Sequence, residues 1–177
     1  MSEATQNDAA NPEQLQPLPS EQVEVEQPQE RGPERQYCIF RAGRERFCVP
    51  VQDVEEVVEW PAVTRVPLAP SFLMGIFNLR GAIVPIVDIA FTEVRRPDLS
   101  PRHVVVGVLA ASEDRDAMRI GIAADEVVGT YTTPDPLLVE TAPRDVPHCC
   151  GMLRHDDKLA LALDLRRVTE VFPVPVI

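Results

Sequence analysis

The sequence predicts an all-β protein, a barrel or a sandwich, and three observations predict it. Short runs of β-prone residues recur along the chain, as in His103-Val104-Val105-Val106-Gly107-Val108-Leu109. Turn-forming groups separate these runs at short intervals, and helical periodicity is confined to brief segments. Aromatic residues are only 5% of the 177, so compact Val, Ile, Leu and Ala must fill the core, and the β-branched ones suit strands. The runs fall into two groups, near 37–89 and 103–163, which two small barrels sharing one hydrophobic core would accommodate.

In chain order, residues 1–35 are rich in Gln, Glu, Pro and Asn, with eight acids against two arginines. Such a segment buries too little apolar surface to offset its ordering entropy and reads as a disordered acidic tail. Order should begin near Tyr37. Tyr37 to Arg41 and Arg46 to Val49 flank Ala42-Gly43-Arg44-Glu45 as a hairpin, and Pro50 ends its second strand. Val51, Val54, Val57 and Val58 then fall at i, i+3, i+6 and i+7, which predicts a short helix. On that helix Val54 and Val57 belong to the core face and Glu56 to the exposed one. Pro61, Pro67 and Pro70 impose an extended segment, and Ser71 is placed to cap a helical turn over Phe72-Leu73-Met74.

Asn78-Leu79-Arg80-Gly81 reads as a tight turn, because Asn and Gly tolerate left-handed backbone angles. A strand follows over Ala82 to Ile89, where Pro85 predicts an edge position or a bulge. Beyond it, His103 to Leu109 and Arg119 to Ala124 are strands joined by a polar connector over 110–117. Val127 to Tyr131 is another strand, and Leu137 to Val139 a brief extended piece. Met152-Leu153 and Lys158 to Leu163 flank the turn Arg154 to Asp157. Asp164 is placed to cap a final helix through Leu165, Val168 and Val171.

The formal net charge is -11, a surface that repels phosphate backbones and anionic lipid and argues against nucleic-acid and peripheral membrane binding. No apolar run is long enough to span a bilayer. The amino terminus lacks the basic start and apolar stretch of a secretory signal, so the expected location is the cytoplasm, with the four cysteines reduced.

No catalytic constellation is evident. The phosphate-binding loop, the dinucleotide glycine fingerprint, the serine elbow and the zinc-protease helix are all missing. Catalytic residues, metal and cofactor are therefore each expected to be none. A metal set would have to come from His148, Cys149, Cys150 and His155, whose adjacent cysteines do not match zinc spacing. A small metal-dependent hydrolase using Cys149, Cys150 and His155 is the weakest alternative. Cys38 and Cys48 read as core filler. Asp88 and Asp125 each end an apolar strand, where a carboxylate usually accepts backbone hydrogen bonds.

Gly75-Ile76-Phe77-Asn78-Leu79-Arg80-Gly81-Ala82-Ile83-Val84-Pro85-Ile86-Val87-Asp88-Ile89 closely resembles the hallmark of CheW-like domains, G-x-x-N-L-R-G-x-[IV]-x-P-[IV]-x-D-L. Phe40 to Val58 resembles that family's opening hairpin and following helix, Val63 to Pro67 its next strand, and Gly121 to Val127 its G-[IL]-x-V-D-x-V segment. The resemblance covers roughly 36–172, leaving 173–177 as a short C-terminal tail. Departures are the small pair Ala123-Ala124, the acidic Val58-Glu59-Trp60, and residues 144–157.

The resemblance implies two five-stranded barrels around a shared core. It implies a non-catalytic adaptor, without cofactor, that bridges the cytoplasmic tips of chemoreceptors and the regulatory domain of a CheA-type histidine kinase. The protein would then be recruited to receptor arrays at the inner membrane. A pathway with another output, such as pilus motility, would use the same scaffold. Arg80 matches the motif arginine that the family uses around receptor binding, with Asn78 and Leu79 beside it. Val54, Glu56 and Val57 lie on the segment resembling the partner-facing region. Gly75, Gly81 and Asp88 are expected to be structural, with both glycines permitting close backbone approach.

Overall fold

The structure is a computed structural model that describes residues 34–90, 100–111, 116–133 and 146–173. Its elements there are β1 (Arg35–Ala42), β2 (Glu45–Pro50), β3 (Val54–Glu59), β4 (Leu73–Leu79), β5 (Ala82–Val87), β6 (His103–Leu109), β7 (Met118–Ala124), β8 (Glu126–Thr133), β9 (Cys149–His155), β10 (Lys158–Leu163) and α1 (Leu165–Val171). The expectations for residues 1–33, for 112–115 of the connector, for Leu137 to Val139 and for 174–177 fall outside the described residues.

The strands form two five-stranded sheets, β8-β1-β2-β10-β9 and β3-β6-β7-β5-β4. Neither sheet is one half of the chain. The parallel pairings β2–β10 and β5–β7 stitch the halves together, so the two strand groups near 37–89 and 103–163 are interleaved rather than separate. The central strands β1, β6 and β7 are buried on both faces. In β6, Val105 enters a core shared by both sheets, whereas Val104 and Val106 face a second cluster with Phe77, Leu79, Val84, Ile86 and Ala123. In β1, Phe40 enters the shared core and Ile39 a third cluster with Tyr37, Cys48 and Leu153. This accounts for the unbroken apolar runs, because a strand covered on both sides has no polar alternation.

Each sheet curls far enough for its ends to meet. Tyr131 on β8 and His155 on β9 stack edge to face, with ring centroids 4.7 Å apart. In the other sheet, Arg80 beyond β4 reaches Glu56 on β3 at 3.1 Å. The final helix packs on the shared core through Leu165 and Val168, with Phe172 just beyond it. Asp164 caps it as expected, its Oδ1 accepting from the Arg166 and Arg167 amides at 2.9 and 3.4 Å.

Several local expectations are corrected. The helix over 51–58 is a single 3₁₀ turn, Val51–Asp53, followed by β3. Four valines in eight residues satisfy helical spacing by density alone, and their β-branched side chains favour the strand. The helical turn at Phe72-Leu73-Met74 does not form, because β4 starts at Leu73 and pairs with Val87. Val63 to Pro67 contributes one bridge, Thr64 to Ile76, rather than a strand. β5 is interior, between β7 and β4. It accommodates Pro85 because the ladder to β7 begins at Ile86, one residue later.

Candidate partner-binding surface

The β4–β5 hairpin is closed by two residues, Arg80 with φ 52° and Gly81 with φ 92°. Positive φ at both positions is the signature of the tight hairpin turn whose twist matches the strands. Asn78 Oδ1 accepts from the Gly81 amide at 2.8 Å and fixes the turn. The Arg80 side chain is 77% exposed, and its Nη2 donates to Glu56 Oε2. It braces against a side chain of β3, the opposite edge strand of the sheet, not against carbonyls of its own turn.

Strand periodicity reverses the expected faces of β3. Glu56 is on the half-buried face with Val54 and Val58, while Glu55, Val57 and Glu59 point outward. Val54 packs against the shared core, and Val57 is exposed. Glu56 Oε1 is buried without a hydrogen-bond partner. Leu79 lies in the private core of its sheet. Of the six residues expected at a partner surface, Arg80, Asn78 and Glu56 come together at one end of the sheet, Val57 is presented outward, and Leu79 and Val54 serve packing.

One surface residue escaped the sequence reading. Glu55, beside Val57, makes a two-point ion pair with Arg119 of β7, with Nε to Oε2 and Nη2 to Oε1. Hydrogen bonding from Arg119 holds the Glu55 carboxyl below the usual range. A period of two over Val54–Glu59 would have placed Glu55, Val57 and Glu59 on one face.

The three turn residues have distinct roles. A Cβ on Gly75 would meet Thr64 O and Val63 Cγ1 at 2.5 Å, so this glycine does permit close backbone approach. A Cβ on Gly81 would meet nothing within 4 Å. Gly81 answers to its backbone angle instead, which corrects the reason given for it. Asp88 is buried, and its Oδ1 accepts from the Ala90 amide at 3.0 Å. Asp125 likewise accepts from the Gly43 amide at 2.8 Å and pairs with Arg41 at 3.3 Å.

The cysteine–histidine set is dispersed along β9. Cys149 is buried in the shared core, whereas its neighbour Cys150 is exposed, and His155 is at the far end of the strand. Among the described residues no group of three or more His, Cys, Asp or Glu gathers at metal-binding distance. Burial pushes the Cys48 and Cys149 thiols up to about 12, far from the thiolate a nucleophile or ligand needs. His148 sits between Phe47 and Phe172, with centroids at 6.2 and 5.3 Å, and both of its ring nitrogens lack partners.

Known proteins resemble this chain in sequence and in fold. The chain is 33% identical over 109 residues to "Probable chemotaxis protein CheW" of Rhizobium etli, covering 61% of this chain and 67% of that protein. It is 33% identical over 104 residues to "Protein FrzA" of Myxococcus xanthus, covering 58% and 61%. The crystal structure of scaffolding protein TtCheW from Thermoanaerobacter tengcongensis superposes with a TM-score of 0.62 at 24% identity, over 74% of this chain and 84% of that one, and shows the same fold. The model of the CheW-like domain matches residues 36–171, and the chain therefore belongs to the CheW-like family.

Proposed function

We propose that this chain is a non-catalytic adaptor that couples chemoreceptor cytoplasmic tips to the regulatory domain of a CheA-type histidine kinase. Arg80 carries the reading. It stands three-quarters exposed on a rigid hairpin tip, anchored by one ion pair to Glu56, which leaves most of its five N–H donors for a partner's acids or carbonyls. The relatives of this family bear chemotaxis and scaffolding names, which supports the same role here. The adaptor works in the cytoplasm, recruited to membrane-bound receptors. No helix among the described residues is long and apolar enough to cross a membrane.

Arg80→Glu is expected to weaken co-sedimentation with receptor-bearing membranes at least tenfold. Thermal stability should fall only modestly, by about 1–2 kcal/mol, because Arg80 is exposed but the change leaves the half-buried Glu56 without its partner. Normal receptor binding by this variant would end the assignment of Arg80. A second reading keeps the adaptor and changes the output to pilus motility or another response. The match to FrzA, not named as a chemotaxis protein, favours considering it. Neighbouring genes in the genome of origin discriminate the two.

A further inference from the structure

His148 is a polar exception among the apolar side chains that join the two sheets. Its relative exposure is 4%, and neither Nδ1 nor Nε2 has a partner among the described residues. A neutral imidazole carries one N–H donor and one acceptor, so both are left unpaired in an apolar site. The ring is also the middle of a row of five, with Phe40 to Phe47 at 6.0 Å, Phe47 to His148 at 6.2 Å, His148 to Phe172 at 5.3 Å and Phe172 to Phe72 at 5.3 Å. That row runs from β1 and β2 of one sheet, through Phe172 beyond α1, to the residue before β4 of the other. An apolar ring would fill the same place with no unpaired nitrogen. What the imidazole adds is the capacity to take a proton.

The backbone around this ring is tied, and the ring is covered by α1. The Cys149 amide donates to Val146 O at 3.0 Å, the Asp164 amide to His148 O at 3.1 Å, and Arg167 Nη1 to Cys149 O at 3.0 Å. The titratable and charged groups on the packed elements are Arg166, Arg167 and Glu170 on α1, Asp164 at its cap, Cys149 and Cys150 on β9, and Arg46 and Cys48 on β2. Lys158 is at the far end of β10. None of them pairs with the imidazole, and the Asp164 carboxylate is occupied by the Arg166 and Arg167 amides. No charge therefore compensates a proton on the buried ring, and burial lowers its pKa. The cover itself is fragile. α1 has seven residues, too few for a helix to persist alone, so it depends on docking through Leu165, Val168 and Phe172.

We propose that His148 is a proton-operated latch on α1. A proton on the ring is solvated only when Phe172 and α1 leave the shared core, so acidification opens this helix while the strands of both sheets stay paired. The latch needs no partner and stands apart from the adaptor reading.

Hydrogen exchange of the full chain, resolved by residue with NMR between pH 8 and 5 and corrected for the intrinsic rate, tests this. The Val168 and Phe172 amides donate to Asp164 O and Val168 O. They should be less protected than the amides of β6 and β7, and less sensitive to low urea, as local opening requires. Their protection should be constant above about pH 7 and fall about tenfold per unit below 6.5. The His148 imidazole signals should titrate with a midpoint below 6.5. His148→Phe should abolish the fall in protection, and His148→Met, with a more adaptable side chain, should abolish it too. Equal protection and equal urea sensitivity in α1 and the sheets overturn the latch, because only global unfolding then uncovers the ring. Loss of protection at Cys149 with α1 unchanged overturns it as well, by making the turn the moving part. A fall that survives in either variant, or a wild-type imidazole midpoint at 6.5 or above, assigns the proton to another group.

Discussion

At the scale of single residues, Asp125 and His148 are opposite kinds of buried polar group, one satisfied and one not. Asp125 accepts from the Gly43 amide and from Arg41 across 82 and 84 positions of sequence. Asp125→Ala leaves that buried amide unpaired and should cost about 2–3 kcal/mol in urea unfolding. His148 is the opposite case. Burial lowers its pKa from the ordinary value of 6.5, so the unfolded chain takes up its proton first as pH falls. Stability should therefore decline as pH drops through the unfolded value near 6.5, and continue declining until the lower folded value is passed. His148→Phe, among its aromatic neighbours, removes no hydrogen bond and should flatten the stability profile between pH 5 and 7. Glu55 acts in a separate window. Its lowered pKa gives stability that is present above 4.5 and lost only below it.

At the scale of elements, the two motif glycines can be told apart by experiment. Gly75→Ala forces a Cβ to 2.5 Å from a backbone oxygen at a φ of 146°, and should cost about 3 kcal/mol or more. Gly81→Ala meets open space and should cost about 1 kcal/mol for its φ alone. Equal losses in denaturant unfolding would contradict this difference. The same hairpin shows what the sequence makes legible. Asn78, Gly81 and the apolar run after them encode turn and strand through local chemistry, and both form where expected. The capped helix at Asp164 was readable for the same reason. Val54–Glu59 was not, because β-branched residues spaced by three and four fit either period, and only pairing with β6 decides. That one error exchanged the faces of Glu56 and Val57 and hid the Glu55–Arg119 pair.

At the scale of the whole molecule, the interleaved topology makes the two sheets one folding unit. β10 lies between β2 and β9, its Leu161 and Leu163 enter the shared core, and α1 follows it into that core. Neither curled sheet can be completed by residues contiguous in sequence, so partial structures leave buried faces uncovered. Two probes report on different parts. Trp60, the one tryptophan, packs against the private core of the β3-β6-β7-β5-β4 sheet, whereas far-UV circular dichroism averages over both sheets. The two signals should give one coincident urea transition, the mark of two-state unfolding. A chain ended at Asp157 loses β10 and α1, which contribute no strand to the sheet containing β3. Even so, Trp60 fluorescence in that chain should show no cooperative transition, because Val105, Ile120 and Ile122 of that sheet lose their cover. A retained sigmoidal Trp60 transition in the shortened chain would mean that the private core suffices, and that the shared core joins two sheets able to fold alone.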